Sequence, residues 1–127
     1  RPPGAQITSL LSWAHDLDFY RAWPRLMIFD EFEPPPRRYA VGAAYFRGQS
    51  RDIGRGPGKG VVRAIHGLDE VQKKFGHLVV ESRLPRIGQS PSDSYEGDGY
   101  VIVRHPESNV IEHALRQIVS LVRVELA

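Results

Sequence analysis

The chain has 127 residues, of which 41% are hydrophobic and 25% charged, so it is long enough for one domain with an apolar core. It contains no cysteine, which excludes a disulfide framework, cysteine-based zinc sites and a thiol nucleophile. Its net charge of +2 does not by itself indicate a nucleic-acid partner, and no apolar run is long enough to cross a membrane.

The first 38 residues are expected to form an extension. Apolar residues at helical spacing predict a helix over residues 7–13, and an aromatic, acidic segment follows over residues 16–32. The exposed aromatic residues of this segment indicate docking onto a neighbouring macromolecule. Three consecutive prolines at 34–36 then form a stiff spacer, so we place the boundary between an extension, 1–38, and a domain, 39–127.

A basic, glycine-rich stretch follows the first predicted strand of the domain. Five cations recur at every fourth position against a single acid, Asp52, and five glycines lie among them. The cations are Arg47, Arg51, Arg55, Lys59 and Arg63. Glycine lets the backbone approach a partner closely, and a helix N-terminus after such a loop favours anions. The pattern therefore predicts a phosphate-rich partner, with a solvated flexible loop as the alternative.

Hydrophobic periodicity predicts two helices and several strands in the domain. The helices are expected from Pro57 or Gly58 to His66, ended by Gly67 in a left-handed conformation, and from Ser108 or Asn109 onward. The strands are expected at 37–46, 77–82, 100–103 and 121–126, with a long loop over 84–99. The predicted class is α+β: a small antiparallel sheet of three or four strands with two helices on one face, in a ferredoxin-like β-α-β-α-β order.

Catalytic and metal chemistry find little support in the sequence. The five histidines lack the short spacings of metal ligands, and the acids at 93, 96 and 98 are typical of a solvated turn. The segment Arg51–Gly56 matches the R-x-x-G-x-G loop with which acetyltransferases bind coenzyme A. That match gives one enzyme alternative, and a generic protein-interaction domain is another.

Two segments resemble the ribosomal protein L-thirty family of the large subunit, in its bacterial and mitochondrial form. Ser50–Leu68 resembles the signature loop and helix of the family, and His105–Glu125 resembles its second helix and closing strand. The matching positions are Ile53, Gly54, Arg55, Val62, Gly67 and Leu68, and then Pro106, Leu121, Val122, Val124 and Glu125. About twenty residues are extra, so either 77–82 or 100–103 is the family's middle strand, and we expect these two to form a hairpin around an insertion at 83–99.

The resemblance implies a structural constituent of the large ribosomal subunit, with no catalysis, no cofactor and no metal. Its partners would be ribosomal RNA and, through the extension, neighbouring ribosomal proteins. The extension and insertion resemble mitochondrial versions, which implies the mitochondrial matrix, or a cytoplasmic ribosome if the chain is bacterial. The RNA-binding residues implied are Arg47, Arg51, Gly54, Arg55, Gly56, Gly58, Lys59 and Arg63.

Overall fold

The structure is a computed structural model that describes residues 4–50 and 60–127. Its helices are α1 (Ile7–His15), α2 (Phe19–Phe29), α3 (Leu68–Phe75) and α4 (Ser108–Leu121), with a short 3-10 helix at Gly76–Leu78. Its strands are β1 (Ala40–Phe46), β2 (Gln49–Ser50), β3 (Val62–His66), β4 (Val79–Arg83), β5 (Gly99–His105) and β6 (Arg123–Leu126). None of these described helices has both the length and the apolar character needed to span a bilayer.

The strands form two three-stranded sheets. In the first, β5 lies between β1 and β4 and is antiparallel to both, so the expected hairpin of β4 and β5 is confirmed. In the second, β6 lies between β2, which is parallel to it, and β3, which is antiparallel. The predicted α+β class, with helices packed on a small antiparallel sheet, is confirmed.

Helix α4 covers one face of the first sheet. Its buried residues, Ile111, Ala114 and Ile118, pack in the main core with alternate residues of β1 and β5. The two layers approach closely at Gly42, where an added Cβ would lie 2.4 Å from Cδ1 of Leu115. Side chains of a strand alternate between the two faces, so the other residues of β5 point away from α4.

Helix α1 covers that second face. It contacts both β1 and β5, and Ile102 on this face of β5 is fully buried although it lies outside the main core. Arg104 fixes the helix in place: its guanidinium carbon is 4.1 Å from the centroid of the Tyr39 ring and 5.3 Å from that of Trp13. Its Nη1 also donates to Asp16 Oδ1 at 3.1 Å. The first helix is therefore part of the folded layer structure.

The helix predicted from Pro57 or Gly58 to His66 is wrong over its described residues, because Val62–His66 is strand β3. Val61 exchanges two backbone hydrogen bonds with Ala127, each of 3.0 Å, and the Val62 N–H donates to Gln89 O at 2.8 Å. These partners satisfy the backbone in an extended conformation, which β-branched residues also prefer. The spacing of the apolar residues alone could not separate the two outcomes.

A helix, α3, begins only after Gly67. Gly67 has the left-handed conformation that was predicted, with φ +85°, but it precedes α3 and does not end a helix. Acidic residues in the first turn of α3, Asp69 and Glu70, and basic residues in the last, Lys73 and Lys74, complement the helix dipole. This charge pattern is visible in the sequence.

The Gly67 position gives a test of the packing between α3 and α4. A Cβ built on Gly67 would lie 2.1 Å from the Leu121 carbonyl oxygen, so Gly67→Ala should lower the free energy of unfolding by more than about 3 kcal/mol. Gly88 has the same φ of +85° but nothing within 4 Å of its Cβ, so Gly88→Ala should cost only about 1 kcal/mol. Urea unfolding measures both, and equal losses would contradict the close approach at Gly67.

Candidate functional site

The basic, glycine-rich stretch over residues 47–60, called the basic loop below, begins and ends beside the second sheet. Of its predicted binding residues, Arg51, Gly54, Arg55, Gly56, Gly58 and Lys59 lie outside the described residues. Before them, Gln49 of β2 pairs with Glu125, and after them Val61 pairs with Ala127. Both ends therefore lie beside the last strand, on opposite sides of it, about 10 Å apart. Gly60 is required there, because with φ +122° its Cβ would lie 2.5 Å from the Ala127 carbonyl oxygen.

A buried carboxylate fixes the entrance of the loop. Asp98 accepts the backbone N–H of Gly48 and that of Ser92, each at 2.6 Å, and its own N–H donates to Phe46 O at 2.7 Å. The expectation that Asp98 belongs to a solvated turn is wrong, since the residue is buried. A carboxylate that accepts two N–H groups holds two loops together. Through Gly48, Asp98 sets the direction in which the chain enters the basic segment.

Arg47 and Arg123 line an open pocket of about 290 Å³ beside this entrance. Arg47 Nη2 donates to the Ser94 carbonyl oxygen at 2.8 Å, which restrains the side chain. The polar neighbours Gln49 and Ser120 also line the pocket, and no acidic residue is among the described residues that line it. Two basic residues without a described acid among the lining residues favour an anion in this pocket, although the Asp98 carboxylate lies close to it, at Gly48.

Arg63, the remaining described member of the predicted set, lies on β3 and faces a carboxylate. Its Nη1 is 4.0 Å from Oε1 of Glu125, whose Oε2 is 2.9 Å from Nε2 of His66. Glu125 therefore offsets part of the positive charge at this end of the loop. Sequence reasoning did not bring Glu125 into the site, because it lies about sixty residues away and reaches Arg63 only through the pairing of β3 with β6.

A second polar cluster lies under α1, and no short sequence motif indicates it. Glu81 on β4 accepts the indole Nε1–H of Trp13 at 3.1 Å and the phenol of Tyr100 at 2.7 Å. Burial and the hydrogen bond to Glu81 raise the pKa of Tyr100 to about 12. Trp13, Tyr20 and Glu81 also line an open pocket of about 370 Å³. Glu81 accepts one hydrogen bond from Trp13 of α1 and one from Tyr100 of β5, so the cluster joins α1 to the sheet.

The described residues show no group of three or more side chains placed to hold a metal ion. His105, which could have contacted phosphate, instead accepts the backbone N–H of Glu107 through Nδ1 at 3.0 Å, at the start of α4. Arg116 is engaged on the surface of α4 by Glu112 at 2.6 Å. Arg47 and Arg123 therefore remain as two described arginines that line one pocket on the second sheet.

The fold is similar to segments of two known ligases. No protein-family model and no curated protein matches the chain. Among solved structures, all of the chain matches an L-amino acid ligase from Bacillus licheniformis, with a TM-score of 0.69 and 17% identity, over 32% of that protein. A phosphoribosylglycinamide synthetase from Anaerococcus prevotii matches 97% of the chain with a TM-score of 0.64 and 12% identity, over 31% of its length. The chain thus spans about a third of either ligase.

These likenesses overturn the function inferred from the ribosomal resemblance. The predictions of a structural constituent of the large ribosomal subunit, of an rRNA-binding role in translation and of a protein without catalysis are wrong, because the chain has a fold found in segments of two ligases. The same finding contradicts the two alternative functions, a coenzyme A-dependent acetyltransferase and a generic protein-interaction domain. Within the described part of the first motif, Val62–His66 is strand β3 and not the helix that the resemblance implied. The predicted rRNA and ribosomal-protein partners and the mitochondrial location stay predictions.

The stacked arginine under α1 provides one test. Arg104→Met should lower the free energy of unfolding by about 1–2 kcal/mol, because it removes the charge between two aromatic rings and the ion pair with Asp16. Its side chain is 22% exposed, whereas that of Arg116 is 77% exposed. Arg116→Met should therefore change stability by less than about 0.5 kcal/mol. Thermal unfolding compares the two, and similar losses would contradict the role of Arg104.

The Tyr100 phenol provides a second test, at alkaline pH. Its raised pKa means that the folded state retains a proton that the unfolded chain loses near pH 10, so this contribution to stability is complete below pH 10 and declines as the pH rises towards 12. A titration of tyrosinate absorbance should show a component near pH 12 that Tyr100→Phe removes and Glu81→Gln moves to lower pH. Tyr95→Phe should leave it in place. Persistence of the component in Tyr100→Phe would refute the assignment.

Proposed function

We propose that this chain is one structural part of a ligase that joins an amino acid to an amine through an amide bond. The observation that carries the proposal is the likeness of the whole chain to segments of two ligases. The first name states that L-amino acids are joined, and the second names a product that contains glycine as its amide. A fold can host several chemistries, so the proposal also rests on the charge of the site.

Positive charge at the entrance of the basic loop suits the chemistry of such a ligase. A carboxylate reacts with an amine in water only after activation, and ligases obtain this activation from a nucleoside triphosphate. The pocket of Arg47 and Arg123 is open and polar and is near the small end of ligand sites, so it fits phosphate groups better than a nucleobase. In the sequence, residues 51–59, which lie outside the described residues, contain three more cations and one acid.

We assign the binding of the phosphate groups to the pocket of Arg47 and Arg123, while the remainder of the ligase supplies the amino-acid sites. Guanidinium groups are suited to the task because they stay charged and donate several hydrogen bonds to phosphate oxygens. Positioned charges of this kind stabilise the negative charge that moves during phosphoryl transfer.

The direct test uses the protein in its full natural length. With ATP and a panel of amino acids, alone and in pairs with other amines, we expect nucleotide cleavage that depends on the amino acid and an amide product identified by mass spectrometry. Arg123→Gln should raise the KM for the nucleotide roughly tenfold, the loss of one charge-assisted contact. Arg116→Gln, on the outer surface of α4, is the matched control and should leave the KM unchanged.

Two results would contradict the proposal. The ligase assignment falls if no amino acid or amine stimulates nucleotide cleavage by a folded, full-length protein. The role of the pocket falls if Arg123→Gln retains the KM of the unmodified protein while amide formation proceeds.

A further inference from the structure

Helix α2 presents an apolar surface to solvent. None of its residues is buried, and it carries three consecutive large apolar side chains that are mostly exposed, Met27, Ile28 and Phe29. Tyr20 of the same helix and Phe32, three residues after its end, are also exposed. We call these five residues the α2 patch. A run of three exposed apolar residues is unusual unless it serves an interaction, so these residues mark a candidate interaction surface.

The patch is held firmly on the body of the domain. The Phe19 N–H donates to Ser12 Oγ at 3.1 Å, and the Phe19 ring meets the ring of Phe32 with centroids 5.9 Å apart. After α2, the chain returns to α1, where His15 Nδ1 lies 2.8 Å from Pro35 O and the Arg38 N–H donates to Ala14 O at 3.0 Å. Helix α2 is therefore anchored at both ends, so its exposed face is a preformed surface.

Charge around the patch limits what can cover it. Residues 16–33 carry five acidic and two basic side chains, a net charge of −3. Part of this charge is used internally, since Arg25 pairs with Glu31 and Arg104 with Asp16. Asp18, Asp30 and Glu33 border the same groove as Phe32, and none of them forms an ion pair with another described residue. A surface that complements the patch is thus apolar at its centre and basic at its rim.

The likeness to ligases indicates which part of the protein would carry the surface that complements the α2 patch. Both matches include α2, because they cover 100% and 97% of the chain, and in both proteins about two thirds of a single polypeptide lies outside the matched segment. We infer that the α2 patch is the surface on which this domain packs against the remainder of the ligase, within one polypeptide. The inference rests on the proposed function and adds the residues by which the domain is held there.

Thiol labelling of the full natural-length protein tests the inference without requiring turnover. Ile28 is 71% exposed in the isolated domain and Ile87, in the loop before β5, is 75% exposed. The segment has no cysteine of its own, so Ile28→Cys and Ile87→Cys each place one thiol in it, which a tryptic peptide identifies. We expect the Ile28→Cys variant to react with iodoacetamide at least tenfold more slowly than the Ile87→Cys variant, and the two to react equally in urea.

Hydrogen exchange of the unmodified protein gives the same information without a substitution. The amides of α2 should exchange as slowly as those of α4 if the patch is covered, although no residue of α2 is buried in the domain alone.

Several outcomes would overturn the inference. Equal labelling of the two thiols under native conditions, or α2 amides that exchange as fast as those of the loop at 84–98, would show an open surface. Protection that disappears on dilution would show a second copy of the protein. A protected thiol in a protein without amino-acid-dependent nucleotide cleavage would overturn the ligase function and leave the covered surface standing. Equal labelling in an active ligase would overturn the covered surface alone.

Discussion

The central strand β5 needs an apolar cover on both sides, and the rest of the molecule is arranged around that requirement. Its residues from Gly99 to Val103 are buried, so the sheet formed with β1 and β4 cannot leave either face in water. Helix α4 covers one face with the main core, and α1 covers the other through Ile102 and the stacked Arg104. The α1 layer in turn positions α2, whose outer side carries the exposed patch. The need to bury both faces of β5 thus determines where the exposed surface of α2 lies.

Much of this fold could be predicted from the sequence. Alternation along β1, the apolar stripe of α4 and the closing strand all follow from residue periodicity. The hairpin of β4 and β5 was expected because the chain has about twenty residues more than the family it resembles, between two candidate strands. The helix assigned to the stretch before His66 failed because Val62 and Ile65 fit a strand as well as a helix. Pairing with β6 decided between them, and that pairing depends on residues sixty positions away. Gly67 was correctly expected to be left-handed, but its conformation does not say on which side the helix lies.

The function was harder to read for a related reason. Cations spaced among glycines indicate the sign of the ligand's charge and not its chemical class. The same stretch therefore fits ribosomal RNA, coenzyme A or a nucleotide. Two short motifs in the right order favoured the first of these. The described site also contains features without a local signature: Arg123 beside Arg47, Glu125 beside Arg63, and Asp98 at the loop entrance. Each depends on strand register. The likeness of the complete fold to ligase segments therefore outweighs the motifs.

The requirement for a cover on both faces of β5 is tested most directly by removing α1. Urea unfolding of the chain without residues 4–17 should show a loss of more than about 3 kcal/mol, because Ile102 and Tyr100 become exposed and Trp13 is lost. The denaturant dependence should also become shallower, since less surface is buried on folding. An unchanged free energy of unfolding would show that α1 is an appendage and that the sheet is stable with one face in water.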